Sequence, residues 1–139
     1  MTLEQFNYYF NKMIEVKPRK IKVLEPQNGE QFLILYLGHN SNREIIAKNL
    51  SDELDCSTAR IAVLLNRLEK KNIIKKVQAS DKRKVIVSLT ELGYDIYNKK
   101  LLFLKEYIER ILTTIGNDEL DRFFDTLKKI TQIGEEIND

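Results

Sequence analysis

The sequence has very little of the residues from which several kinds of functional site are built. One cysteine and one histidine among 139 residues allow neither an internal disulfide nor a zinc site of cysteine and histidine ligands. Glycine-rich phosphate loops and the usual nucleophile motifs are missing as well, so we expect no metal, no cofactor and no enzyme activity. A single cysteine is typical of a reducing compartment, which favours the cytoplasm.

Long apolar runs and an excess of one charge are also missing. No stretch approaches the ~18 consecutive apolar residues of a membrane-spanning helix, so we expect no membrane partner. Two prolines and five glycines are too few for a disordered or fibrous chain, while 42% hydrophobic residues suffice for the core of one domain. The net charge of +2 excludes a protein that is basic over its whole surface.

Helical periodicity is present along most of the sequence and is interrupted once by an extended pattern. Capping residues and apolar spacing predict six helices, which begin at Thr2, Asn28, Ser41, Ser57, Thr90 and Asn117. The first helix runs to about Val16, and residues 17–27 read as a linker. Asn72 ends the fourth helix, and residues 73–77 and 85–89 then predict a β-hairpin.

This order of elements predicts a mainly α fold with a small β-hairpin (α+β), the winged helix-turn-helix, in which one helix can enter a DNA major groove. The distribution of charge agrees with it. Nine basic and two acidic residues give the segment from Ser57 to Lys84 a local charge of +7. Four basic and nine acidic residues give the segment from Glu106 to Asp139 a charge of −5. The near-neutral total therefore hides a dipolar chain.

The fourth helix has one apolar side and one side suited to a DNA groove. The apolar residues that share one side are Ile61, Leu64, Leu65 and Leu68. At about 100° per residue, Ala59 and Val63 lie opposite and can touch thymine methyl groups. Asn66 can bind adenine through two hydrogen bonds, while Arg60 and Arg67 can bind guanine or phosphate. The predicted DNA contacts of this helix and its N-terminus are Ser57, Thr58, Ala59, Arg60, Val63, Asn66 and Arg67.

The stretch from Leu50 to Lys76, followed by Asp81-Lys-Arg and Val87-Ser-Leu-Thr-Glu-Leu-Gly93, resembles the MarR (multiple antibiotic resistance regulator) family of bacterial repressors. The resemblance implies a homodimer on a palindromic operator, with the wing arginine, here Arg83, in the minor groove. It also implies that Asp81 supports the wing through an ion pair. The predicted wing contacts with DNA are Lys82, Arg83 and Lys84. Asn72 stands where the family usually has glycine, a mild departure because asparagine also tolerates the left-handed conformation.

A heptad pattern in the fifth helix, from Tyr94 to Ile115, is typical either of a dimer interface or of a helix packed within one subunit. The first and last helices also carry long apolar stripes that a small winged domain cannot cover, and these favour dimerisation. The predicted dimer contacts are Leu3, Phe6, Phe10, Leu101, Leu104, Ile108, Ile111, Ile115, Leu120, Phe123, Leu127 and Ile130. We accordingly assign residues 1–27 and 90–139 to a helical dimerisation region and residues 28–89 to the DNA-binding region.

The sequence leaves three alternatives open. A winged helix can dock on an acidic protein partner without reading DNA sequence. Aromatic residues of the first two helices can belong to an ordinary core or, as the family resemblance implies, line a cavity for a small-molecule effector between the dimerisation helices and the winged domain: Phe6, Tyr8, Tyr9, Phe10, Phe32 and Tyr36. Cys56 is either a small buried filler or a redox-sensitive group beside the fourth helix, which is the predicted recognition helix for DNA.

Overall fold

The computed structural model describes residues 2–8 and 29–138. Its helices are α1 (residues 3–8), α2 (Gly29–His39), α3 (Leu50–Glu53), α4 (Thr58–Lys70), α5 (Glu91–Ile115) and α6 (Asn117–Asn138). Its strands are β1 (Ile45–Ile46), β2 (Ile74–Gln78) and β3 (Val85–Leu89), and a 3₁₀ turn covers Ala47–Asn49. The predicted end of the first helix at Val16, the linker at 17–27 and the helix start at Asn28 lie outside the described residues.

The three strands form one antiparallel sheet in the order β1-β3-β2. In the hairpin, Ile74 lies opposite Leu89 and Gln78 lies opposite Val85. A mainly helical chain with a small antiparallel sheet confirms the predicted fold class. The hairpin is the wing of a winged helix, and its position after α4 is the one that the sequence predicted.

The helix predicted to begin at Ser41 is wrong in its first part. Ile45 and Ile46 form a short strand instead, pairing with Val87 and Ile86 of β3, and helix α3 begins only at Leu50. Two successive β-branched residues favour a strand, and β1 satisfies backbone hydrogen-bonding groups on the edge of β3 that β2 leaves unpaired. The sheet therefore has three strands where a two-stranded hairpin was predicted.

The core lies between α2, α4 and the sheet. Its buried residues are Leu33, Ile34, Leu37, Ile45, Leu50, Ile61, Leu65, Leu68, Ile73, Ile74, Val87 and Leu89. The predicted inward side of α4 is confirmed, with Leu64 half-buried at its edge. Because these side chains fix α4 against the sheet, the opposite side of α4 is left toward solvent.

Left-handed backbone marks two of the predicted boundaries between elements. Asn72 has φ of 58° where α4 gives way to β2, and Gly116 has φ of 81° between α5 and α6. Thr90 caps α5, since its Oγ1 accepts a hydrogen bond of 3.0 Å from the backbone N–H of Gly93. Local backbone preferences thus set three of the boundaries.

The chain divides into two compact units, Met1–Lys100 and Leu101–Asp139. The first holds the winged helix and the second holds the end of α5 and all of α6. Within the described ranges, no helix is long and apolar enough to cross a membrane. The sequence analysis divided the chain by function, into a DNA-binding region at residues 28–89 and a dimerisation region on either side of it. That functional division stays a prediction.

Candidate nucleic-acid interface

Helix α4 begins with the cap that the sequence predicted. The Oγ of Ser57 accepts a hydrogen bond of 3.2 Å from the backbone N–H of Arg60, and Ser57 has the extended backbone of an N-cap. The cap satisfies one of the N–H groups that every helix leaves free at its start. The first turn of α4, which carries several of the predicted DNA contacts, is therefore held in one conformation.

Every predicted DNA contact of α4 lies on its solvent-exposed side. The exposed residues are Ser57, Thr58, Ala59, Arg60, Val63, Asn66 and Arg67. Val63 is 49% exposed, on the side of the helix opposite the three apolar residues that are buried. A small apolar patch between polar and basic side chains is the surface that contact with thymine methyl groups requires.

The tip of the wing is a compact turn closed by hydrogen bonds. The backbone N–H of Ala79 donates to the carbonyl oxygen of Lys84 at 2.9 Å, and the N–H of Lys84 donates to that of Asp81 at 2.9 Å. The side-chain amide of Gln78 donates to the carbonyl oxygen of Lys82, also at 2.9 Å. These bonds hold the exposed side chains of Lys82, Arg83 and Lys84 on a rigid loop.

Asp81 supports this turn differently from the expectation. Its Oδ1 accepts a hydrogen bond of 3.2 Å from the backbone N–H of Arg83. Among the ion pairs of the described residues, none joins the two side chains. The carboxylate thus orders the backbone of the turn, as aspartates commonly do two residues before the group they bind. The guanidinium of Arg83 is left exposed at the tip.

Lysine 76 joins the wing to the recognition helix. Its Nζ lies 3.0 Å from Oδ1 of Asn66 and 3.7 Å from Oε1 of Glu69. The sequence indicated Lys76 only as part of the local positive charge. Side chains alternate between the two sides of a strand, so Lys76 lies on the same side of β2 as buried Ile74, two residues before it. This alternation could have predicted that Lys76 faces the rest of the domain.

A second ion pair connects α2 with the end of α4. The Nζ of Lys71 lies 2.8 Å from Oε2 of Glu30. These residues are 41 positions apart in the sequence, so periodicity alone gave no sign of the pair. Two of the nine basic residues counted between Ser57 and Lys84 are therefore engaged within the protein.

A three-residue network holds helix α3 in place. The hydroxyl of Tyr36 donates to Oε2 of Glu53 at 2.6 Å, and Arg43 donates to both carboxylate oxygens at 3.2 and 3.3 Å. Arg43 also donates to the hydroxyl of Tyr36 at 2.7 Å. Helix α3 has only four residues. Because so short a helix is not stable alone, these contacts with α2 and the 40–44 turn fix it beside α4.

Charge and burial shift the pKa values within this network. The hydrogen bonds from Arg43 and then from Tyr36 lower the pKa of Glu53. Burial, followed by the hydrogen bond to Glu53, raises the pKa of Tyr36. The sequence assigned Tyr36 to a cavity or to the core, and the network shows that its hydroxyl has a structural partner.

A small cavity borders the start of the recognition helix. Its volume is about 220 Å³, and it is lined by Gly29, Phe32, Leu33, Leu54, Asp55, Cys56, Arg60, Ile61 and Leu64. Of the aromatic candidates for an effector site, Phe32 lines this cavity, while Tyr9 and Phe10 lie outside the described residues. Cys56 is half-buried beside it, with Sγ 4.0 Å from the carbonyl oxygen of Ser57.

Comparison with known proteins identifies the family. Residues 27–100, slightly more than half of the chain, match the sequence model of the transcriptional regulators SarA/Rot. The chain belongs to the SarA/Rot family of transcriptional regulators. A search of curated protein sequences found no match to this chain.

Solved structures of other regulators share the fold of this SarA/Rot family member. Streptococcus pneumoniae FabT in complex with DNA has 22% identity and a TM-score of 0.69, with 98% of this chain and 99% of that chain covered. The S. aureus MepR–DNA complex has 18% identity and a TM-score of 0.66, covering 93% and 94%. The transcription regulator MarR from Oenococcus oeni PSU-1 has 21% identity and a TM-score of 0.63, covering 75% and 78%. The predicted resemblance to the MarR family is confirmed.

The predicted dimer contacts of this SarA/Rot family member are not buried within the single chain. Those exposed are Leu3, Phe6, Ile115, Phe123 and Ile130, and those half-buried are Leu101, Leu104, Ile108, Ile111, Leu120 and Leu127. Phe10 lies outside the described residues. In α6 no described residue is buried, and in α5 only Gly93 is. The apolar stripes that the sequence predicted are therefore accessible.

Proposed function

We propose that this transcriptional regulator binds double-stranded DNA sequence-specifically, as a homodimer on a palindromic operator, and that it represses transcription from the promoter it covers. The observation that carries the proposal is the exposed side of α4 together with the basic loop between β2 and β3. Both belong to one compact unit, and Lys76 joins them directly. A helix and a hairpin arranged in this way can contact a major groove and the adjacent backbone at once.

Charge supports the proposal on a local scale. After Lys71 and Lys76 are set aside as members of ion pairs, the arginines of α4 and the three basic residues of the wing tip remain exposed. Basic side chains that neutralise phosphates release counterions from DNA, which gives affinity that falls steeply with salt. FabT and MepR, which share this fold, were each solved in complex with DNA.

Exposed apolar surface in the second unit supports the homodimer. In α6, Ile130 is 59% exposed and Ile137 is 78% exposed, seven residues apart and so on one side of the helix. Soluble monomers rarely expose continuous apolar faces of this kind. A second copy of the chain is the partner that covers them. Two recognition helices about 34 to 36 Å apart then enter successive major grooves on one side of the DNA.

A small-molecule effector that releases the protein from DNA is the last part of the proposal. The cavity of about 220 Å³ beside Phe32 is lined partly by α4 itself, so an occupant contacts the recognition helix directly. The cavity suits only a small, largely apolar molecule. To weaken DNA binding a hundredfold, the effector must favour the released form by ~2.8 kcal/mol.

Selection of bound duplexes from a randomised DNA pool tests the proposal. We expect an enriched palindrome whose half-sites are centred about 10 to 10.5 base pairs apart. Light scattering at micromolar concentration should give a particle of twice the 16.4 kDa of one chain. A pool that shows no enrichment, with binding only to an acidic protein partner, would establish the protein-docking alternative in its place. A particle of one chain's mass would exclude the homodimer.

A further inference from the structure

Lysine 76 is held more firmly than a surface lysine usually is. Its side chain is 27% exposed, and Nζ lies between Oδ1 of Asn66 at 3.0 Å and Oε1 of Glu69 at 3.7 Å. Asn66 and Glu69 are three residues apart on α4, so both point to the same side of the helix. The amide and the carboxylate together fix one ammonium group at the edge of the recognition surface.

The ammonium changes what Asn66 can recognise. To bind adenine through two hydrogen bonds, an asparagine accepts from the N6 amino group with Oδ1 and donates to N7 with Nδ2. Here Oδ1 already accepts from Lys76. Its second lone pair remains, but a positive charge 3.0 Å away repels the amino hydrogen that adenine would bring there. The N–H groups of Nδ2 are not engaged by Lys76 and remain able to donate.

We propose that Lys76 is a specificity-determining residue, which converts Asn66 from a reader of adenine into a hydrogen-bond donor that selects guanine. Guanine presents two acceptors, O6 and N7, to the major groove. The Nδ2 group of Asn66 supplies one donor, and the third N–H of the Lys76 ammonium supplies the other. This inference rests on the proposed function, since it assigns a base preference to the same surface.

Three single variants of the full chain test the inference in the same selection from randomised DNA. Asn66→Ala identifies the operator position that Asn66 reads, because preference relaxes there. Lys76→Met removes the charge and keeps the aliphatic stem. Lys75→Met is the matched control: it removes the same charge from the neighbouring position of β2, where the exposed side chain lies on the other side of the strand.

At the position found with Asn66→Ala, we expect the wild-type protein to prefer guanine. Lys76→Met should shift the preference there toward adenine by about tenfold, within the discrimination that one good base contact supplies. Lys75→Met should weaken binding to all sequences alike. If Lys76→Met does not fold, as judged by thermal melting, Lys76→Gln serves in its place: it also removes the positive charge beside Oδ1 of Asn66 and should reduce the guanine preference.

Two results would overturn the inference while leaving the proposed function standing. One is an enriched operator in which the Asn66-dependent position is adenine or does not exist. The other is an unchanged base preference in a folded Lys76→Met variant that loses affinity only as Lys75→Met does. A wild-type selection with no enriched operator would instead refute the proposed function, and this inference with it.

Discussion

Gly93 lies in the first turn of α5 and packs against the backbone where β2 begins. A Cβ added at Gly93 would overlap the carbonyl oxygen of Ile73 and approach Cβ of Leu89 to 3.1 Å. The same carbonyl oxygen accepts a hydrogen bond of 3.0 Å from the N–H of Thr90, whose hydroxyl donates at 2.6 Å to the neighbouring carbonyl oxygen of Asn72. Gly93→Ala must therefore push α5 away from a backbone atom that also anchors the helix cap.

The expected cost follows from three contributions. Forcing a methyl group into a packed site costs about 1 to 3 kcal/mol. Each strained hydrogen bond of Thr90 adds about 0.5 to 1.5 kcal/mol. Alanine is more favourable than glycine inside a helix, and this preference offsets up to about 1 kcal/mol of the loss. We predict that Gly93→Ala lowers the free energy of unfolding by about 2 to 4 kcal/mol.

Urea denaturation monitored by circular dichroism measures this loss. The matched control is Gly134→Ala in α6, where the part of the chain that the structure describes places no atom from outside the helix's own backbone within 4 Å of the added Cβ. The control should be as stable as the wild type or up to about 1 kcal/mol more stable. If Gly93→Ala unfolds at the same urea concentration as the wild type, α5 does not pack on the start of β2 as described.

Three further predictions concern the cap, the wing and the α3 network. Ser57→Ala should cost about 1 kcal/mol of unfolding free energy, because it removes the α4 cap, and urea denaturation measures it. Arg83→Ala should weaken binding to all duplexes and lower the slope of affinity against salt, on logarithmic axes, by about 1 per protomer. Glu53→Gln should destabilise the protein at neutral pH, and its difference from the wild type should shrink as pH falls below about 4.3, since the pKa of Glu53 is lowered on folding.

Each of these has a result that contradicts it. An Arg83→Ala variant that loses affinity for one sequence and not for others would show that Arg83 discriminates between bases, contrary to this prediction. Unchanged stability in Ser57→Ala would mean that the cap adds nothing to the packing of α4. A difference between Glu53→Gln and wild type that stays constant down to pH 3 would show that the ionised carboxylate is not what holds α3.

The features that the sequence predicted correctly are those encoded within a few neighbouring residues. Ser57 and Thr90 cap helices through bonds to residues three positions on, and Asn72 ends α4 because asparagine tolerates positive φ. The apolar side of α4 follows from its period of 3.6 residues. Fold class could therefore be predicted before any long-range contact was known.

The features that it missed depend on residues distant in sequence. Ile45 and Ile46 become a strand because β3, some 40 residues later, offers an edge to pair with. Glu53 and Arg43 are 10 positions apart in the sequence, and only the path of the chain brings both to the hydroxyl of Tyr36. Local periodicity cannot predict such contacts, since it holds no information about which segments become neighbours.

The contact of Lys76 shows why a count of charges is an incomplete description of a DNA-binding surface. In the sequence, Lys75 and Lys76 add equally to the charge of +7. In the structure, Lys75 is exposed to solvent, while Lys76 is fixed between Asn66 and Glu69. An exposed ammonium such as that of Lys75 can attract any phosphate. The ammonium of Lys76 instead occupies a hydrogen-bond acceptor of Asn66. Two identical residues side by side can thus separate affinity from specificity.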